Sequence, residues 1–156
     1  MKKVILILVM SLSTFTTLAQ IGTGSTIEEK VLVGRNNKGK MNPFYVTLER
    51  SEIDIKNTDF YVLSYRNKEH TSFVDSKYIT FTATPEELEY FYNFLKEGMS
   101  LKKGTKRNIE ICGNTLIVTS KKGWIYVWIS HEQQIGELDG IIDLTKKQLE
   151  RLFGKI

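Results

Sequence analysis

Two helix starts, 61 residues apart, constrain this chain more than any other feature. Thr84-Pro85-Glu86-Glu87 and Thr145-Lys146-Lys147-Gln148 each set a threonine at the cap position and a Glu or Gln three residues later. That spacing is a capping box, in which the threonine hydroxyl accepts from the third helical N–H and the longer side chain returns to the cap N–H. Pro85 at the first helical position strengthens the first start. Leu88, Phe91, Tyr92 and Leu95 then recur at i, i+3, i+4 and i+7, an apolar stripe that must face a core, and Gly98 is the expected stop. At the second start Leu144 and Leu149 form a hydrophobic staple, and Gly154 closes the helix.

The rest of the chain is short β-rich runs punctuated by turn residues. Strands are predicted over 30–34, 44–50, 60–66 and 77–83 before the first helix, and over 107–112, 115–120, 124–130 and 140–144 before the second. Only Pro43 and Pro85 interrupt this pattern, and no low-complexity linker divides it. The expectation is a single α+β domain over 27–156: an antiparallel β-sheet with two α-helices packed on one face, in a strands-then-helix (ββββα) order that occurs twice. At the level of element order this resembles Whirly-type and related single-stranded nucleic-acid-binding folds. The resemblance lies in topology and not in a motif, so it implies a fold and no activity.

The amino terminus speaks to compartment. Met1-Lys2-Lys3, the apolar run from Val4 to Met10 and the small-residue end at Thr17-Leu18-Ala19 have the three parts of a secretory signal peptide. The apolar run is shorter than the roughly 20 residues that a membrane span needs. Residues 1–19 are therefore expected to be cleaved, with 20–26 a flexible start and the product exported, soluble, and periplasmic or extracellular. The formal charge of +4 from 22 basic and 18 acidic residues falls to +2 once Lys2 and Lys3 leave. That balance gives no bulk electrostatic reason to expect a polyanion, and nucleic acid is the less expected partner. Cys112 is the only cysteine, which excludes an intramolecular disulfide and reads as an unreactive filler.

Catalytic chemistry finds little support. His70 and His131 are the only histidines and stand in different segments, without a partner at metal-ligand spacing. Asp139 and Asp143 bracket Gly140-Ile141-Ile142, and Glu86-Glu87 sit where the helix dipole favours acids anyway. No nucleophile elbow or glycine-rich phosphate loop occurs. No catalytic residue, metal ligand or cofactor is predicted.

The candidate binding residues lie in the second half. Trp124, Tyr126 and Trp128 alternate along one strand and so share one side of the sheet. Gly113-Asn114 is taken as a two-residue turn pairing Cys112 with Thr115 and Ile109 with Val118. Lys121-Lys122-Gly123 is taken as a three-residue loop pairing Ser120 with Trp124, Val118 with Tyr126 and Leu116 with Trp128. On that register Tyr126 and Trp128 belong to the core beside Ile109, Ile111, Leu116 and Val118. Trp124, at the loop end, stays partly exposed as a binding residue. Glu110, Cys112, Thr115, Ile117, Thr119, Ile125, Val127 and Ile129 would form the opposite face. Lys102, Lys103, Lys106 and Arg107 form the densest basic cluster, with Lys121-Lys122 in a nearby turn and Lys146-Lys147 at the second helix start. The expected function is an exported, non-enzymatic binding or interaction module. The alternatives are a polyanion or nucleic-acid binder using the sheet face and the 102–107 cluster, and a small envelope hydrolase or inhibitor.

Overall fold

Alternation of burial along the strands organises the molecule. The computed structural model describes residues 30–36, 46–53, 55–66, 76–131 and 140–156; the expected signal peptide and flexible start lie outside them. Strands β1 (Val31–Arg35), β2 (Val46–Glu52), β3 (Asp59–Arg66) and β4 (Ser76–Ala83) form one antiparallel sheet in sequence order. Strands β5 (Lys106–Ile111), β6 (Asn114–Lys121), β7 (Trp124–His131) and β8 (Gly140–Thr145) form a second in the same way. Helix α1 (Pro85–Ser100) follows the first set and α2 (Lys146–Leu152) the second. The class is α+β with antiparallel pairing, as expected, but the strands divide into two four-stranded sheets where one had been expected. Helix α1 connects β4 to β5, which do not pair; the two sheets instead turn their apolar faces toward one shared core.

Each sheet has one apolar face, and both faces share one core. Val46, Leu48, Tyr61, Leu63, Tyr65, Ile79 and Phe81 come from the first sheet, and Leu116, Val118, Ile125, Val127, Ile129, Ile142 and Leu144 from the second. Helix α1 buries Phe91, Tyr92, Phe94 and Leu95 and packs chiefly on β6 and β7; α2 buries Leu149 and Leu152 against β8, β1 and β2. Each helix therefore touches both sheets instead of capping one. Phe153 joins the two helices, with its ring centroid 5.5 Å from those of Phe91 and Tyr92.

Both capping boxes form. The Thr84 hydroxyl accepts from the Glu87 amide at 3.2 Å while Glu87 Oε2 accepts from the Thr84 amide at 2.8 Å. At the second start the Gln148 amide donates to the Thr145 hydroxyl at 3.4 Å, and Gln148 Oε1 accepts from the Thr145 amide at 2.9 Å. Each cap is worth about 1 kcal/mol. The second matters more, because a seven-residue helix cannot hold itself without tertiary contacts.

Two close features of the core are testable. Gly34 in β1 lies so near the α2 backbone that a Cβ there would overlap the carbonyl oxygens of Arg151 and Leu152. Backbone cannot swing aside as a side chain can, so Gly34→Ala should destabilise by about 3 kcal/mol, read as a lower urea midpoint. Tyr65 is fully buried, and its hydroxyl has no hydrogen-bond partner among the described residues; burial pushes its pKa up to about 12 from 10.0. The folded state thus resists ionising a group that the unfolded chain ionises freely above pH 10. Its contribution is complete below pH 10 and is lost as pH rises toward 12. Tyr65→Phe should be at least as stable as the parent at pH 7, since it removes an unpaired buried hydroxyl, and should lose less stability between pH 10 and 12.

Candidate functional site

The site is set by a turn. Strand β6 pairs with β7 as Lys121↔Trp124, Thr119↔Tyr126 and Ile117↔Trp128, leaving Lys122 and Gly123 as a two-residue connection. Gly123 has φ +83 while Lys122 keeps negative φ, the signs of a type II turn with glycine at its third position. The three-residue loop expected from the sequence is therefore corrected by one residue, and a shift of one moves every side chain to the other face. Ile125, Val127 and Ile129 enter the core opposite Ser120, Val118 and Leu116. Tyr126 and Trp128, expected in the core, stand on the outer face with Trp124, and all three are half-buried.

The first hairpin is corrected differently. Its turn residues are Cys112 (φ 46) and Gly113 (φ 74), and the closing pair is Ile111↔Asn114, with Ile109↔Leu116. The register moves by two, so Ile109, Ile111, Leu116 and Val118 still share the inner face. Cys112 is exposed in this turn and fills no core space.

The outer face of the second sheet thus carries cross-strand rows. Lys106, Thr119, Tyr126 and Asp143 form the central row, with Asn108, Ile117, Trp128 and Ile141 beside it and Lys121, Trp124 and Thr145 at the end. No helix among the described residues packs over this face. Trp124 and Tyr126 meet edge to face, centroids 4.4 Å apart at 70°. The Lys121 ammonium lies 4.9 Å from the Tyr126 centroid, a cation–π contact. Thr119 is 7% exposed, and its buried hydroxyl has no hydrogen-bond partner among the described residues.

Antiparallel order brings the lysines to one end. The start of β5, the end of β6, the start of β7 and the end of β8 are neighbours, so Lys102, Lys103 and Lys106, the Lys121-Lys122 turn and Lys146-Lys147 converge where Trp124 stands. The loop before β5 is fixed there by bonds from the Gly104 amide to the Ser120 carbonyl (2.9 Å) and from the Ser120 amide to the Thr105 carbonyl (2.8 Å). Lys146 reaches Glu150 at 3.9 Å; among the described residues Lys102, Lys103, Lys106, Lys122 and Lys147 form no ion pair. Arg107, expected in the same cluster, points inward instead. It pairs with Glu97 at 3.0 Å and covers the Phe94 ring at 3.9 Å, so it belongs to the packing of β5 on α1.

A second concavity of about 280 Å³ lies between the ends of β4 and β5 over the first turns of α1. Phe81, Ala83, Phe91, Ile109 and Ile111 line it, with Glu87 and Glu110 at its sides. Both carboxylates are exposed, and both accept structural hydrogen bonds, Glu87 in the α1 cap and Glu110 from the Thr115 hydroxyl at 2.8 Å. Of the polar candidates, His70 and Asp139 lie outside the described residues, and Asp143 stands beside Tyr126 on the aromatic face. Among the described residues no group of three His, Cys, Asp or Glu side chains could hold a metal ion, and no helix is long and apolar enough to cross a membrane. Comparison with protein-family models, curated proteins and solved structures finds no match.

The two faces of β7 should respond unequally to truncation. Ile129→Ala should cost about 3 kcal/mol and Trp128→Ala about 1 kcal/mol, measured by urea unfolding, because only the first opens a core cavity. Iodide should quench Trp124 and Trp128, the only tryptophans, in the folded protein.

Proposed function

We propose that this protein is an exported, non-enzymatic binding module that takes an anionic chain polymer across the outer face of its second sheet. The supporting observation is the meeting of three lysine-bearing segments around Trp124. Bulk charge gives no hint of this, since +4 over 156 residues is modest, but local density is what an extended polyanion encounters.

The face divides the work by chemistry. Lys102, Lys103, Lys106, Lys121 and Lys122 supply compact ammonium charges that neutralise successive anionic groups and release their counterions. Trp124 and Trp128 supply ring faces for the unsaturated or pyranose rings between those groups, and a base stacked on such a ring contributes about 1–3 kcal/mol. Tyr126 packs between Trp124 and Lys121. The signal-like amino terminus supports a role outside the cytoplasm, where anionic glycans and released nucleic acid are both available.

The reading predicts binding of single-stranded oligonucleotide and of heparin, and none of a neutral glucan, followed through tryptophan emission. Affinity should fall with salt at a log–log slope of about 0.7–0.9 per anionic group neutralised. The double variant Lys121→Glu, Lys122→Glu should lower that slope by about 2, and Trp124→Ala should weaken binding about tenfold at unchanged slope. Preference between the two polyanions identifies the physiological class. Salt-insensitive binding, or equal binding of the neutral glucan, would contradict the proposal.

A further inference from the structure

The free edge of β5 borders the 280 Å³ cleft at its Ile109–Cys112 end. Among the described residues β5 pairs only with β6, so one side of its backbone carries no ladder. Which groups face outward follows from the turn. A two-residue hairpin closes on a hydrogen-bonded pair, here Ile111↔Asn114, and such pairs alternate along the strand. Arg107, Ile109 and Ile111 thus bond to β6, while the N–H and C=O groups of Lys106, Asn108 and Glu110 point to the open edge.

We propose that this edge is a docking strand for an extended peptide of alternating apolar and basic residues. A strand laid along β5 sends alternate side chains to opposite faces. Those level with Ile109 and Ile111 enter the cleft, whose walls are Phe81, Phe91 and the two isoleucines. A cleft of 280 Å³ holds one large aromatic or aliphatic side chain of the peptide. Those level with Glu110 turn to the other face and meet its exposed carboxylate, which selects lysine or arginine over glutamate. The combined demand is apolar–basic–apolar at period two. This site is on a different edge from the lysine-ringed aromatic face, and neither proposal rests on the other.

Cys112 supplies the readout, because the only thiol in the chain lies exposed on the cleft's rim. The probe is the blocked peptide Val-Lys-Phe-Lys-Val, with Val-Glu-Phe-Glu-Val and the non-alternating Lys-Lys-Val-Val-Phe as controls. The first should slow reaction of Cys112 with an aromatic disulfide reagent severalfold and shift the amide resonances of Asn108 and Glu110. Each control should bind at least tenfold more weakly. Glu110→Lys should reverse the order of the lysine and glutamate peptides. Asn108→Pro removes an outward amide without touching the β6 ladder, so it should abolish protection while leaving the urea midpoint within error. No protection at millimolar peptide, equal protection by all three peptides, or an unchanged order in the Glu110→Lys variant would overturn the proposal.

Discussion

The length of one turn decides what this protein shows to its surroundings. Strand β7 reads Trp-Ile-Tyr-Val-Trp-Ile-Ser, apolar on both faces, so hydrophobicity alone does not say which side is the core. With Lys122 and Gly123 as the whole connection, the β-branched Ile125, Val127 and Ile129 face inward and the three large rings face out. One more residue in the turn would exchange the sets. The observed choice agrees with packing: the branched residues lie level with Leu116, Val118 and Ser120, small enough for α1 to approach closely at Gly98.

The same antiparallel order that fixes the turn also gathers charge. Lysines at 102–106, 121–122 and 146–147 are separate in sequence and unremarkable one segment at a time. A meander returns its second and fourth strand ends to the place where its first and third begin, and the loops at that end carry the lysines. Electrostatics and ring stacking therefore coincide at Trp124 because of topology. At the opposite end of β5 the charge changes sign, with Glu110 beside the cleft.

Much of the fold was legible in the residues. Thr84 and Thr145 named both helix starts, and the strands lie within a few residues of the alternating runs. These signals are local, carried by hydrogen bonds and side-chain periods that span three or four residues. The division into two sheets was not legible, because it depends on β4 and β5 failing to pair across α1, a contact between distant segments. The layout of the candidate site was legible in part. Trp124 and the lysines were candidates in the sequence and lie at one end of the second sheet, but Gly123 suits the left-handed position of a two-residue or a three-residue turn equally. That ambiguity of one residue misplaced Tyr126 and Trp128 by a whole face. Arg107 was grouped with its lysine neighbours by sequence, whereas strand alternation turns it toward Phe94 and Glu97.

The central claim is that the aromatic face and its lysine-ringed end form one binding surface. Amide and indole resonances of the labelled protein, followed while heparin and then a single-stranded oligonucleotide are added at low salt, test it most directly. The account predicts that shifts concentrate in 102–106, 119–128 and 143–147, with the Trp124 indole among the largest. Shifts confined to the first sheet, or spread evenly over exposed lysines such as Lys56 and Lys155 while Trp124 stays still, would contradict it.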